Sequence, residues 1–235
     1  MKRRLCVVSG GRADFGLLRW TLEEIKNDKD VDLRLIATGS HLLEEFGFSV
    51  DEIESAGFGV DATVDIVDAS DSAVGVARAI GRGVAKLAEV FNQIRPDVVL
   101  VLGDRYESFA ATVAATTLHI PIAHCHGGER TEGAIDEVFR HSMTKMAHLH
   151  FTATAEYKKR VIQLGERPER VFNVGSLGVE AIGRLPRLSR QQLESKLGQK
   201  LSQKTLLVTY HPETHSPGHN QQTLANLFDC LNTLN

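Results

Sequence analysis

The sequence has few cysteines, no long apolar run and no excess of positive charge. Its three cysteines, Cys6, Cys125 and Cys230, include no CxxC pair, so we expect no disulfide framework and predict a reducing, cytoplasmic environment. The apolar runs are the length of strands, so no membrane span is predicted, and the N-terminal run is too short for a signal peptide. A formal net charge of −3 without charge runs argues against nucleic-acid binding.

Short apolar runs alternate with helical patterns along most of the chain. Strands are predicted at 4–10, 31–39, 96–104, 120–128, 149–154 and 171–176, and helices at 16–27, 72–94, 106–118, 134–148 and 155–164. Runs rich in Val, Ile and Leu are typical of a parallel sheet covered on both faces. This order predicts an α/β fold with a doubly wound, Rossmann-like sheet, which binds its ligands beyond the carboxyl ends of the strands.

The pattern changes near residue 178. Residues 183–203 are polar and contain Pro186, as expected of a connection, and a new strand is predicted at 205–213, followed by a helix at 219–234. One strand and one helix cannot cover each other's apolar faces. We therefore predict a Rossmann-like domain over 1–178, followed over 179–235 by a linker and the beginning of a second, truncated Rossmann-like domain.

Two glycine-containing turns follow predicted strands. In SGGRADFG (9–16) the glycines would let backbone N–H groups approach a phosphate at a helix N-terminus, with Arg12 as a bidentate contact. A plain strand–helix turn with a solvated arginine fits equally well, and the spacing is not that of a dinucleotide fingerprint. In GDRYES (103–108) Asp104 suits either a base or a helix cap, and the helix after Arg105 could bind an anion.

The stretch 122–151 has the densest set of titratable groups in the chain. His124 and His126 are expected to point to the same side of a strand, with Glu129 in the following loop and Asp136 at the start of a helix. This density beside Gly127-Gly128 indicates an enzyme site.

The same residues also have ordinary interpretations. His124 could be a core histidine, and Asp136 an acid that simply starts a helix. The pairs Glu137–His141 and Asp136–Arg140 could be surface ion pairs at i, i+4 spacing.

A zinc site is a further alternative in this stretch. His124 and His126, with His148 and His150, could supply imidazole ligands. No HExxH motif or cysteine pair accompanies them. We therefore predict no metal site.

Four motifs occur together in this chain: SGGRADFG, GDRYES, HGGERTEGAIDEVFRHSMTKMAHLHF and YHPET. With these motifs in this order, the chain resembles the UDP-N-acetylglucosamine 2-epimerase family over essentially its whole length. It is more similar to the hydrolysing branch, which feeds sialic and legionaminic acid synthesis, than to the non-hydrolysing branch. The resemblance implies a GT-B-type fold of two Rossmann-like domains, of which this chain matches the first and the start of the second.

The resemblance also implies a reaction and its residues. The C2 proton of UDP-GlcNAc is removed as UDP departs, and water adds to the resulting 2-acetamidoglucal to give free N-acetylmannosamine. Asp104 and Asp136 match residues of proton transfer, and Arg12 and His211 match contacts of the diphosphate, with Arg105 as a second anion contact. No cofactor is implied, the partner is a nucleotide sugar, and a homo-oligomer is possible.

The chain departs from the family at one position. Many members have a catalytic glutamate where this sequence has His126. Either His126 takes over the catalytic role, or Glu129 does, or the substrate differs, for example a GDP-activated sugar. A reversible epimerase or glycosyltransferase on the same scaffold, and a nucleotide-sugar-binding fragment without turnover, are the competing functions.

Overall fold

The fold is described from a computed structural model that covers residues 2–70, 72–212 and 217–234. The strands are β1 (Arg3–Ser9), β2 (Val31–Thr38), β3 (Ala62–Val64), β4 (Val98–Leu102), β5 (Ile122–Cys125), β6 (Leu149–Thr152) and β7 (Val171–Asn173). The helices are α1 (Arg12–Asn27), α2 (Val50–Ser55), α3 (Ala73–Ile94), α4 (Tyr106–Thr117), α5 (Asp136–Met146), α6 (Ala155–Gln163), α7 (Leu177–Arg184), α8 (Arg190–Leu197) and α9 (Pro217–Asn232).

The seven strands form one parallel sheet in the order β3-β2-β1-β4-β5-β6-β7. The chain runs outward from β1 to β3 and then crosses back to β4, so β1 and β4 are neighbours at the point where the strand order reverses. In open α/β sheets ligands bind outside the carboxyl ends of the strands at this reversal. The predicted doubly wound α/β fold is therefore confirmed.

Two apolar clusters make up the core. One contains Cys6, Ile36, Leu87, Phe91 and Val99, and the other is built around α1. Helix α4 lies close to α3 because small residues face each other. A Cβ on Gly83 would lie 2.9 Å from the Cβ of Ala110, so the close approach of the two helices requires a glycine there.

Six predicted strands are confirmed, and two expectations about strands were wrong. Strand β3 was missed, because three residues are too short to show a periodic pattern. The predicted strand at 205–213 is absent from 205–212, and residue 213 lies outside the described residues. A strand is held by pairing with a neighbour, which this segment lacks in the described part of the chain, and Leu207 is 97% exposed.

The chain divides into two compact units. The first comprises residues 1–130 and 136–181, and the second comprises 131–135 and 182–235. In the second unit, α8 begins with a capping box in which Ser189 and Gln192 exchange hydrogen bonds. The predicted domain boundary after residue 178 stays a prediction. Among the described residues, no helix combines the length and the apolarity needed to cross a bilayer.

Candidate active site

The carboxyl ends of β1, β4 and β5 border two cavities of the first unit. The strand-end cleft has a volume of about 160 Å³. Its polar lining consists of Asp14, Asp104, Arg105, His126, Glu129 and Arg140. The glycine-loop pocket, of about 490 Å³, is lined by Gly11, Arg12 and residues of the 40–49 segment. Asp14 and Arg105 line both cavities, so we treat these two neighbouring cavities together as the candidate site.

Helix α1 starts in the glycine-loop pocket directly after Gly10 and Gly11. Arg12 is exposed there and pairs with Glu52 through two contacts of 3.0 and 2.6 Å. The predicted location of Arg12 at a helix N-terminus is thus confirmed, while its contact with a diphosphate stays a prediction.

Asp14 is a site residue that sequence reasoning missed. It is 8% exposed, and its Oδ2 accepts a hydrogen bond of 2.9 Å from the Gly10 amide. Burial raises the pKa of Asp14 to about 6; the nearby Glu107 charge also raises it, while the Gly10 hydrogen bond and Arg105 lower it. Asp14 was not singled out because an acid in the first turn of a helix is common. Its position directly after a glycine pair is a sequence signal that could have identified it as a site residue.

Arg105 is held by a second buried acid, Glu107. The guanidinium donates to Glu107 at 3.2 and 2.9 Å, and Glu107 is 1% exposed. A Cβ at residue 39 would lie 2.7 Å from Glu107 Oε1, which explains why Gly39 follows β2. Arg105 therefore stands at the rim of the cleft as a fixed cation, a geometry that suits an anion contact.

Asp104 follows β4 and pairs with Arg140 of α5. The alternative that Asp104 caps α4 is wrong, because the N-cap position belongs to Arg105 and carries no side-chain cap. Arg140 is 2% exposed and also bonds Glu137 at 3.0 Å. The alternative interpretation that put Arg140 in a surface ion pair is therefore wrong, because α5 turns this side chain inward to Asp104.

Helix α5 also carries Asp136 and the His141–Glu137 pair. The predicted i, i+4 pair between Glu137 and His141 is confirmed at 3.2 Å. Asp136 is the first residue of α5 and half-buried. It precedes Arg140 by one turn on the same helix face, although it is not among the described residues that line the strand-end cleft. Its catalytic role stays a prediction.

His124 is a core histidine. Its Nε2 lies 2.7 Å from the Gly103 carbonyl oxygen and its Nδ1 lies 3.3 Å from Thr144 Oγ1. Burial lowers the pKa of His124 to about 4, so the ring is neutral at physiological pH. The ordinary interpretation of this residue is confirmed.

His126 has a different environment from the one the sequence predicts. β5 ends at Cys125, and His126 takes a left-handed conformation with φ +65°. The expectation that the two histidines project from one strand is therefore wrong. The His126 Nδ1 lies 2.9 Å from Glu129 Oε1, while its Nε2 is buried and no group in the described ranges bonds it.

The turn that carries His126 is fixed from several directions. The His126 amide donates to the Phe151 carbonyl oxygen at 2.9 Å. A Cβ on Gly127 would lie 3.1 Å from Thr144 Oγ1, and one on Gly128 would lie 2.5 Å from the Tyr157 carbonyl oxygen. Strain at a non-glycine left-handed residue persists only where the surroundings enforce it, as they do here.

The histidines considered for zinc have other partners. His150, which lies beside His124 in the β5–β6 register, places Nε2 3.2 Å from Glu166 Oε2. The His148 Nδ1 accepts a hydrogen bond of 3.3 Å from the Ile122 amide. Over the residues that the structure describes, no group of three His, Cys, Asp or Glu side chains is placed to hold a metal ion.

His211 belongs to the second unit, where its side chain is exposed. Its predicted contact with a diphosphate stays a prediction. The six other predicted site residues, Arg12, Asp104, Arg105, His126, Glu129 and Asp136, all lie in the first unit.

A parallel sheet with acids, a histidine and arginines at its switch point is typical of the class of Rossmann-like proteins that bind ligands at the strand ends. Within that class, the chain belongs to the UDP-N-acetylglucosamine 2-epimerase family, because the sequence model of that family matches residues 23–235. The family predicted from the motifs is confirmed, and the family is one of enzymes.

Two curated relatives are named as hydrolysing 2-epimerases. The "GDP/UDP-N,N'-diacetylbacillosamine 2-epimerase (hydrolyzing)" of Campylobacter jejuni is 42% identical over 99% of this chain and 60% of its own length. The "UDP-N,N'-diacetylbacillosamine 2-epimerase (hydrolyzing)" of Legionella pneumophila is 39% identical over 90% of this chain and 56% of its own length. The chain thus spans a little over half the length of these relatives.

A solved structure shares the fold. UDP-N-acetylglucosamine 2-epimerase from Rickettsia bellii superposes with a TM-score of 0.72 over 85% of this chain and 52% of its own, at 22% identity. At this identity the likeness concerns the fold alone.

Proposed function

We propose that the complete protein, meaning the product of the reading frame that contains these 235 residues, is a hydrolysing 2-epimerase of a nucleotide-activated 2-acetamido sugar. The observation that carries the proposal is the strand-end cleft, where Asp104, Arg105, His126 and Glu129 meet at the switch point of the sheet. The two relatives named as hydrolysing 2-epimerases support it.

The proposed reaction needs cations at the leaving group and proton-transfer groups at the sugar. The C2–H electron pair forms the C1=C2 bond as the C1–O bond breaks, and UDP leaves with its electron pair. Arg12 and Arg105 stabilise the departing diphosphate. Water then adds at C1 and a proton returns to C2 on the opposite face, so two proton-transfer groups are required, and the candidates are Asp104, His126, Glu129 and Asp136.

UDP-GlcNAc is the simplest substrate of this class, and UDP-N,N′-diacetylbacillosamine is the alternative that the names of two relatives favour. The second sugar carries a further acetamido group, so comparing turnover of the two substrates tests whether the enzyme requires that group. The name of the Campylobacter relative also includes GDP, which makes the GDP-activated sugar a third candidate.

Proton NMR of the complete protein in D2O tests the proposal. We expect UDP and a free manno-configured sugar that carries deuterium at C2, from at least one of the three substrates. A nucleotide-linked epimer as the product would identify a reversible epimerase instead. A folded protein that binds UDP without turning over any of them would contradict the proposal and favour a nucleotide-sugar-binding function.

A further inference from the structure

His126 and Glu129 form an imidazole–carboxylate pair inside the strand-end cleft. The Nδ1–Oε1 distance is 2.9 Å, and the side chains are 15% and 28% exposed. At this distance Nδ1 carries the proton and donates it to the carboxylate, which leaves a lone pair on Nε2. A carboxylate that bonds one ring nitrogen fixes the tautomer and the orientation of a histidine, and stabilises the imidazolium that forms when the other nitrogen takes a proton.

The backbone around His126 holds the ring in place at a conformational cost. A φ of +65° is unfavourable for a residue with a Cβ, and such strain is concentrated at functional sites. β5 ends at Cys125, one residue before His126. If the strand continued through His126, its ring would point in a different direction. The left-handed turn instead brings the ring to the cleft and within reach of Glu129.

The buried Nε2 is the nitrogen left for a ligand. It is buried with no hydrogen-bond partner among the described side chains and backbone, and a buried polar atom without a partner is costly. His126 lines the cleft beside Asp104 and Arg140, so a sugar bound there would contact the ring whose Nε2 is without a partner among the described residues.

The neighbouring carboxylate is less suited to remove a proton. Asp104 is paired with the buried guanidinium of Arg140, and protonating Asp104 would remove one of the carboxylate charges that this cation pairs with. Glu129 already accepts from His126. Of Asp104, Glu129 and His126, the histidine is therefore the one whose protonation, at Nε2, breaks no existing pair.

We propose that His126 removes the C2 proton in the elimination step and that Glu129 is its positioning residue. The inference rests on the proposed hydrolysing 2-epimerase activity. In this step Nε2 takes the C2 proton, the C–H pair forms the C1=C2 bond, and the C1–O pair leaves with the nucleoside diphosphate. The imidazolium that results is stabilised by the Glu129 carboxylate and returns its proton to solvent.

This assignment separates the two halves of the reaction. Hydration of 2-acetamidoglucal delivers a proton to the opposite face of C2 and therefore does not use His126. A variant without the imidazole should lose elimination and keep hydration.

The first experiment tests the geometry without any turnover. Long-range ¹⁵N–¹H spectra of the 235-residue chain report which ring nitrogen of each histidine carries the proton. We expect the Nδ1–H tautomer for His126, and a shift toward Nε2–H in Glu129→Ala. An Nε2–H tautomer in the wild type, or one that does not respond to Glu129→Ala, would overturn the dyad whatever the activity proves to be.

The second experiment uses the complete protein. His126→Asn keeps a residue that tolerates the left-handed conformation, and we expect its kcat for nucleotide-sugar turnover to fall by about 10²–10⁴-fold. Supplied with 2-acetamidoglucal and UDP, the same variant should still form the manno-configured sugar. Loss of both half-reactions in a folded variant, or retention of elimination, would overturn the assignment.

Variants of Glu129 test its positioning role. Glu129→Gln keeps the shape and removes the charge, and we expect kcat to fall on the order of 10²-fold with KM little changed. Glu129→Asp should recover part of the rate because it restores the charge. A rise in KM alone would assign Glu129 to substrate binding and contradict the proposal.

The chain offers a matched control in a second histidine–carboxylate pair. His150 Nε2 lies 3.2 Å from Glu166 Oε2, and His150 is 1% exposed. Glu166→Gln makes the same chemical change outside the strand-end cleft, so kcat should stay within about twofold of the wild type. An equal loss in both variants would mean that breaking such a pair acts through stability alone. Absence of turnover in the wild type would refute the proposed function, while the tautomer measurement would still decide the dyad.

Discussion

His124 and His126 stand two residues apart at the end of β5, and they differ in almost every physical respect. His124 is fully buried and both of its ring nitrogens have partners, Gly103 and Thr144. His126 has left the strand, has one partnered nitrogen, and lines a cleft. A histidine with both nitrogens satisfied holds structure together, whereas one with a free nitrogen in a cleft can exchange protons.

The difference arises from the backbone rather than from the residue type. His124 lies within the paired part of β5, opposite His150 of β6. Past Cys125 the chain turns left-handed, and the alternation of a strand no longer applies. Two positions along the chain thus separate a core residue from a candidate catalytic residue.

The largest expected effect comes from a change in α5, the helix that contacts His124 and begins with Asp136. Its Thr144 contacts His124, and its first residue, Asp136, precedes Arg140 by one turn. We expect Asp136→Asn to lower kcat of the complete protein by about 10²–10⁴-fold, because Asn is nearly isosteric but cannot transfer a proton. Turnover is measured by UDP release and folding by thermal unfolding.

Thr144→Val is the matched change at the structural end of α5. It should leave kcat of the folded protein nearly unchanged and cost about 1–3 kcal/mol of stability, because His124 Nδ1 loses its partner. Full activity of Asp136→Asn would show that the acid–base set does not extend to the start of α5.

The next effect is on stability and separates the two histidines directly. His124→Ala removes a buried ring and two hydrogen bonds, so we expect a loss of about 3–4 kcal/mol in the free energy of unfolding. His126→Ala should cost less than about 1 kcal/mol, because its ring is at the cleft and one nitrogen is unpaired. Urea unfolding of both variants provides the measurement, and equal losses would erase the distinction.

Much of this fold could be predicted from the sequence. Continuous Val, Ile and Leu runs identified six strands, and the long motif from residue 126 to 151 identified the family. The short β3 and the absent strand at 205–212 could not be predicted in the same way. An apolar run such as 205–209 becomes a strand only where another strand pairs with it, and that depends on residues far away in the sequence.

The sequence predicts most of the residues of the candidate site, but it does not predict which of them contact each other. Asp104 and Arg140 are 36 positions apart, so no local pattern reveals that they pair. The buried acids Asp14 and Glu107 lie in the first turns of helices, where acids are common for electrostatic reasons alone. The left-handed conformation of His126 has no sequence signal, since a positive φ is uncommon in residues other than glycine.

The pH dependence of stability should also distinguish His124. Its pKa is lowered to about 4 in the folded state from an ordinary 6.5, so the unfolded chain binds more protons between these values. Stability contributed by the neutral ring is present above pH 6.5 and is lost as the pH falls toward 4, by about 3 kcal/mol at most.

The wild type must be compared with a variant, because other groups titrate in the same range. His41, buried between Ser9 and Ser49, has its pKa lowered to about 4 by burial and acts in the same sense. The raised pKa of Asp14 acts in the opposite sense. The free energy of unfolding of wild type and His124→Asn, measured at pH 7, 5 and 4, isolates the contribution of His124. If both proteins lose the same stability as the pH falls, His124 does not contribute to the pH dependence.

The smallest expected effect tests the strain at His126. Glycine adopts φ +65° without the cost that a Cβ imposes, so His126→Gly should stabilise the fold by up to about 1 kcal/mol, less the entropy that glycine loses on folding. The same variant should lose nucleotide-sugar turnover. A protein that becomes more stable as it loses activity identifies a residue kept for chemistry, whereas a clear loss of stability would place His126 with His124 among the residues that hold the fold.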